Sequence, residues 1–253
     1  MERTFAWQRA RIMPKNRLLA ALPDEVQSTL QPHIKTVSLP RGAVLCEADA
    51  PLTRVYFVEE GAVSLVTIFE DGTTAEMATV NREGLVGIDA LLGGNHAFGR
   101  YVVAIPGSAL TLEVSRFRTA LRESARLRAA CEAYAQAFLA HLLQNVACNA
   151  AHTVEQRCAR WLLMCAGQTD DDAFALTQEY LAELLGVRRS TVTVIAGTLQ
   201  QKGLIRYCRG SITVLNARGL EAVACECHRI VRTRYERLMA HAFESDPEKI
   251  GVR

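Results

Sequence analysis

Arg188-Arg189-Ser190-Thr191, followed by Thr193 and Val194, is the run in this chain best equipped to read a polyanion. A guanidinium can grip a phosphate or the O6/N7 edge of guanine with two parallel hydrogen bonds. Ser and Thr hydroxyls can contact several bases, and the methyls of Thr193 and Val194 can meet the methyl of thymine. Such side chains work from the first turns of a helix laid into the major groove. A second chemical candidate is Cys225-Glu226-Cys227-His228, with Cys208 upstream. Zinc favours Cys-x-x-Cys spacing over Cys-x-Cys, and on one helix Cys225 and Cys227 would point apart, so no metal site is expected there.

The elements that would hold the basic run can be read from residues 176–205. Thr177 is placed to cap a helix whose apolar face is Leu181, Leu184 and Leu185. Gly186 suits the left-handed residue that ends such a helix, and Val187 can turn inward. A second helix, starting at Arg189 or Ser190, continues through Val192, Ile195, Ala196 and Leu199 until Gly203 stops it. Leu204–Ile205 and Ile212–Val214 are β-prone and flank a turn at 208–211, which predicts a hairpin wing. Charge supports the reading. Residues 188–237 hold ten Arg or Lys against three Glu, a balance of +7 in a chain whose total is +2.

The chain is 253 residues long, enough for two domains. It has no apolar run of the roughly 18 residues that a membrane helix needs. The N-terminus is basic but lacks the apolar stretch of a secretion signal, so a cytoplasmic location without membrane partners is expected. The eight cysteines are scattered, most of them within apolar helical patterns where a thiol acts as a small hydrophobe. From Ser124 to Asn149 there is no Pro or Gly. One helical seam there reads Leu127, Cys131, Tyr134, Phe138, His141, Asn145 and Cys148, and a second reads Ala135, Leu139, Leu142, Val146 and Asn149. Two apolar seams call for two covered surfaces.

The first half has a β texture. Short runs at 55–58, 63–69, 75–80, 101–105 and 110–114 are separated by Gly-containing turns, with Glu70-Asp71-Gly72-Thr73 the strongest hairpin signal. This suggests a small antiparallel barrel or jelly roll able to hold one ligand. The ordered series LPRGAVLCEADAP (39–51), VYFVEEGAVSLV (55–66), EDGTTAEMATV (70–80) and EGLVGIDALLGG (83–94), followed by the long helix and the helix-turn-helix, resembles the cyclic-AMP receptor protein/Fnr superfamily of bacterial transcription regulators. Gly61 and Gly72 are expected to close hairpins. The resemblance runs from about 17 to 238 and implies an α+β chain. Residues 17–123 would form a cyclic-nucleotide-binding-like jelly roll and 124–151 a dimerisation helix and hinge. Residues 152–243 would form a winged helix-turn-helix, with 1–16 and 244–253 as terminal extensions.

The same resemblance implies a homodimer on a palindromic operator, contact with RNA polymerase, and no enzymatic activity. It places Leu127, Cys131, Tyr134, Phe138, His141, Leu142 and Asn145 at the dimer helix. It gives Arg189 to guanine, puts Ser190 where many members carry a Glu, and leaves Thr177, Gln178 and Arg188 to phosphates. The ligand cradle departs from the cyclic-AMP pattern. After Gly87, the ribose-binding Glu is replaced by Ile88, and the phosphate-binding Arg-Ser pair falls on Phe98 and Gly99. Asp89 and Arg100 are nearby substitutes that fit poorly, so cyclic AMP is not expected as effector. An iron–sulfur cluster of the Fnr type lacks its N-terminal cysteines. A haem reading would rest on His96 and Cys46. A cupin-like enzyme would need several metal ligands on the barrel, where 50–115 offers only His96. A constitutive DNA-binding protein with an inert barrel is the remaining alternative.

Overall fold

A computed structural model describes residues 13–166 and 173–244. Most of both expected terminal extensions, residues 1–12 and 245–253, lies outside them. Two short helices, α1 (Arg17–Ala20) and α2 (Asp24–Leu30), lead into the strands β1 (Lys35–Leu39), β2 (Val44–Cys46), β3 (Arg54–Ile68), β4 (Thr74–Val80) and β5 (Leu85–Val86). A helical turn, α3 (Ile88–Leu91), precedes β6 (Arg100–Glu113), and α4 (Val114–Glu123) leads to the 27-residue helix α5 (Ala125–Ala151).

The antiparallel sheet has the order β1-β6-β3-β4, with β2 also on β6 and β5 also on β3. The hairpin expected at Gly61 is absent, as is the turn between the runs at 101–105 and 110–114, because paired runs fuse into long strands. Gly61 closes no hairpin but sits inside β3, and Pro106-Gly107 sits inside β6, where the register of the pair shifts. The reason is steric. A Cβ on Gly61 would strike the carbonyl oxygens of Ile105 and Pro106, and one on Gly107 would strike that of Glu60. The two backbones approach too closely for side chains, and the bulge bends both strands at once. Gly72 does close the β3–β4 hairpin, at φ 81°. Val55, Phe57, Val63, Leu65, Leu85, Tyr101, Val103 and Phe117 fill the barrel, all at most 2 % exposed.

Ser124 caps α5 by accepting from Leu127 N. Its first seam packs within the chain. Leu127, Cys131, Tyr134, Phe138, His141 and Asn145 are all buried, and Asn145 Nδ2 donates to Met77 O on β4 at 2.8 Å. These residues were expected at a dimer interface and are not available for one; Leu142, placed with them, is only partly buried. The large apolar residues left on the surface of α5 are Leu139, Leu143 and Val146, at 56 %, 61 % and 71 % exposure.

Thr153 opens α6 (Val154–Cys165) with a capping box closed by Gln156. Then follow β7 (Ala173–Ala175), α7 (Gln178–Leu185), α8 (Arg189–Gln201), β8 (Ile205–Cys208), β9 (Ser211–Val214), α9 (Ala217–Val223) and α10 (Cys227–Glu244). Trp161, Leu162 and Cys165 of α6 pack under α7 and α8 in a second core, which also takes in Ala62, Ala104 and Ile105 of the barrel. The indole of Trp161 donates to Glu76 Oε2 on β4 at 2.9 Å. Burial pushes the Glu76 carboxyl up, against the pull of its hydrogen bonds from Ser64, Thr79 and Trp161. Helix α10 runs back along α5, puts Met239 into the barrel core and donates from the Tyr235 hydroxyl to Glu83 O at 2.6 Å. No helix among the described residues is long and apolar enough to cross a membrane.

Candidate nucleic-acid interface and effector cradle

The α7–α8 pair is set by local chemistry. Thr177 Oγ1 accepts from Tyr180 N, and Gly186 ends α7 at φ 64°, ψ 41°. Arg188 is the N-cap of α8 but supplies no side-chain acceptor, so the leading N–H groups of that helix keep donor capacity toward an anion. Val192, Ile195, Ala196 and Leu199 face the core, while Arg188, Arg189, Ser190, Thr193 and Val194 face outward and Thr191 is half-buried. Arg189 is held by an exposed ion pair with Glu179 at 2.9 Å, and Thr193 Oγ1 donates to Gln178 Oε1 at 2.7 Å. Exposed pairs of this kind contribute little, so Arg189 can exchange its partner for a base edge.

Strands β8 and β9 form the wing, joined by Arg209 (φ 48°) and Gly210 (φ 75°), the two positive-φ residues of a tight hairpin turn. Arg206 and Arg209 are exposed on it. The sequence reading missed β7, which adds a third strand beside β9; its signal is only the three residues Ala173-Phe174-Ala175, too short to stand out. The tip of the β3–β4 hairpin and the start of α8 border one open cleft of about 950 Å³, lined by Phe69, Asp71, Thr73, Glu179, Arg188 and Arg189.

The cradle is arranged differently. Gly87 holds φ 93° and starts α3. Ile88 is buried, and so is Asp89, whose two oxygens are both used: Oδ1 accepts from Phe98 N at 3.0 Å and Oδ2 from the Tyr101 hydroxyl at 2.9 Å. Burial raises the Asp89 carboxyl above its ordinary range. Phe98 is 61 % exposed. A Cβ at Gly99 would crowd Met77 and the carbonyl oxygen of Val66. Arg100 Nε reaches the exposed Glu47 at 2.7 Å. The six cradle residues therefore stand close together, but their charged groups already have partners within the chain. His96 pairs its backbone with Pro51.

A cavity of about 480 Å³ lies instead at the junction of barrel, α5, α6, α9 and α10, lined among others by Thr79, Asn81, Tyr134, His141, His228 and Arg232. His141 is buried there with Nε2 unpartnered, and burial, aided by the Arg160 cation, pushes its pKa down to about 3.

A family model for a Crp-like helix-turn-helix domain matches residues 156–223, and one for a cyclic nucleotide-binding domain matches residues 36–124. The chain belongs to the Crp/Fnr family. It is a DNA-binding transcription regulator of Crp/Fnr type. Among curated relatives of this Crp/Fnr regulator is a global nitrogen regulator from Synechocystis sp., 26 % identical over 216 residues, covering 81 % of this chain and 94 % of the relative. Another from Nostoc sp. is 27 % identical over 174 residues, covering 65 % and 78 %. FixK2 from Bradyrhizobium japonicum has a similar fold, with a TM-score of 0.65 at 19 % identity over 76 % of this chain and 98 % of that one. A CRP-family transcriptional regulator from Thermus thermophilus gives 0.60 at 21 % identity, covering 75 % and 96 %.

The structure also reverses one sequence reading. Cys225 and Cys227 do not share a helix, because α10 begins only at Cys227. Their thiols converge with Cys148 and His152, four ligand atoms all within 4.8 Å of one another. Cys208 is exposed on the wing, and His228, the neighbour first considered, is not in the group.

Proposed function

We propose that this Crp/Fnr regulator acts as a homodimer on a palindromic operator, with Arg189 reading guanine and a barrel that does not take cyclic AMP. The observation that carries the dimer is the exposed stripe Leu139, Leu143 and Val146 on α5, in steps of four and three. That is the spacing of one seam of a helix pair, and a second copy of α5 presents the same seam. Two α8 helices in such a dimer would enter successive major grooves about 34 Å apart. The outward residues Arg188, Arg189, Ser190, Thr193 and Val194 support base and phosphate contact from α8. With Ser190 and Val194 in place, the half-site differs from one read by Glu and Arg there.

The reading of the barrel rests on Asp89, both of whose oxygens are used within the chain, and on Arg100, whose contact is the exposed Glu47 rather than a group inside the barrel. A buried cyclic phosphate needs a cation and donors with capacity to spare. Selection of bound sequences from random DNA tests the proposal. Enrichment of an inverted repeat with a guanine under Arg189, by a protein that sediments as a dimer at micromolar concentration, supports it. A monomer, or enrichment of a non-repeated site, contradicts it.

A further inference from the structure

We propose that Cys148, His152, Cys225 and Cys227 form a zinc(II) site that fastens the joint between sensor and DNA-binding domain. Cys148 and His152 lie four residues apart at the C-terminal end of α5, where His152 N donates to Cys148 O. That spacing puts both side chains on one side of the helix end. Cys225 comes from the turn between α9 and α10, and Cys227 opens α10. Cys148 Sγ is 3.5 Å from Cys225 Sγ, and Cys227 Sγ is 3.6 Å from His152 Nδ1. A tetrahedral zinc ion with ordinary Zn–S and Zn–N bonds would set these separations at about 3.8 Å and about 3.6 Å. These two pairs are therefore close to the spacing of ligands on one ion, and all four ligand atoms lie within 4.8 Å of one another.

The surroundings match a metal site as well. His152 turns its other nitrogen, Nε2, to Glu226 Oε2 at 3.3 Å, the carboxylate contact that orients a zinc-bound imidazole. Gln144 Nε2 donates to Cys227 Sγ at 3.1 Å, a bond that favours a thiolate. The three sulfurs form a buried cluster of their own, apart from both hydrophobic cores. Three thiolates and a neutral imidazole make a closed, soft donor set suited to structural zinc rather than to calcium or magnesium. Three thiolates around Zn²⁺ leave a net charge of −1. Binding releases the thiol protons. The consequence is mechanical: the ion would tie the end of α5, from which α6 departs, to the root of α10, which itself returns to the barrel through Tyr235 and Met239.

The test uses the full chain purified under reducing conditions without chelator. Elemental analysis is expected to find about one zinc per chain. Cobalt(II) exchange should give the intense visible bands of a tetrahedral thiolate site. Cys148→Ser and Cys225→Ser should lose the metal, whereas Cys46→Ser and Cys208→Ser should keep it. Glu226→Gln should weaken binding about 10–100-fold while leaving the four ligands in place. Because the serine variants could fail to fold, His152→Cys is the paired variant: a fourth thiolate should retain zinc and change the cobalt spectrum. The proposal is overturned if wild type takes up neither zinc nor cobalt at equimolar concentration. It is equally overturned if Cys148 and Cys225 are found joined as a disulfide in the reduced preparation, or if the serine variants bind as wild type does.

Discussion

The recognition helix α8 and the cradle of α3 and β6 both place charged residues beside a helix start, yet they use them in opposite ways. In α8 the apolar side carries the packing, so Arg188, Arg189, Ser190, Thr193 and Val194 point outward, with only exposed local partners. In the cradle, Asp89 has been drawn into the core, where it ties Phe98 and Tyr101 together; Arg100 meets the exposed Glu47, a pair as open to exchange as that of Arg189. A side chain can serve a ligand only if the fold does not already need it. By that criterion α8 keeps side chains with capacity for a ligand, whereas Asp89 in the cradle is committed to Phe98 and Tyr101, in keeping with the proposal that the barrel does not take cyclic AMP.

The largest effect expected is on the proposed dimer, in which two α8 helices would act together. Leu143→Glu puts a charge into the exposed α5 seam. It should yield a folded monomer by sedimentation and weaken operator binding about 10²–10⁴-fold, the factor gained when two linked sites bind together. Next comes Arg189→Ala, expected to cost about 1–3 kcal/mol in operator affinity and to relax specificity at one base pair. Arg188→Ala should weaken all sequences alike and reduce the slope of log K against log salt by about 1. If Arg188→Ala altered sequence preference instead, the two arginines would have to exchange roles.

The smallest effect separates the cradle from α8. Asp89→Asn can keep both hydrogen bonds, so DNA affinity should not change. Burial raises the Asp89 carboxyl from 3.8, so the folded state holds its proton more tightly than the unfolded chain. Its contribution to stability is then complete below pH 3.8 and is lost as pH rises through the raised folded value. Thermal unfolding across that range should show a shallower decline for Asp89→Asn than for wild type. An unchanged pH profile would mean that Asp89 is not held as a buried acid.

The two regions were not equally readable in the sequence. The helix-turn-helix is a local object: Thr177, Gly186 and the Val192-Ile195-Ala196-Leu199 face act over a few residues, and the structure has them as read. The cradle substitutions at Ile88, Phe98 and Gly99 were visible, but the pairing of Asp89 with Tyr101 depends on strand register and was not. Both α5 seams were recognised, but not that the first one packs within the chain, because a helix that is apolar on most sides does not reveal which side meets its own chain. Fusion of the β3 and β6 segments followed from a close backbone approach at Gly61 and Gly107, which sequence spacing reads as turns. The Cys148-His152-Cys225-Cys227 group was hidden by distance along the chain and by the helix break before Cys227.

The measurement that bears most directly on the contrast between cradle and recognition helix is operator affinity of the full chain, followed by fluorescence anisotropy at fixed salt with and without saturating cyclic AMP. Equal affinities in both conditions, together with the loss at Arg189→Ala, are the predicted result. Tightening by about tenfold or more on adding cyclic AMP, equivalent to about 1.4 kcal/mol of coupling, would contradict it and would return the cradle to a ligand-binding role.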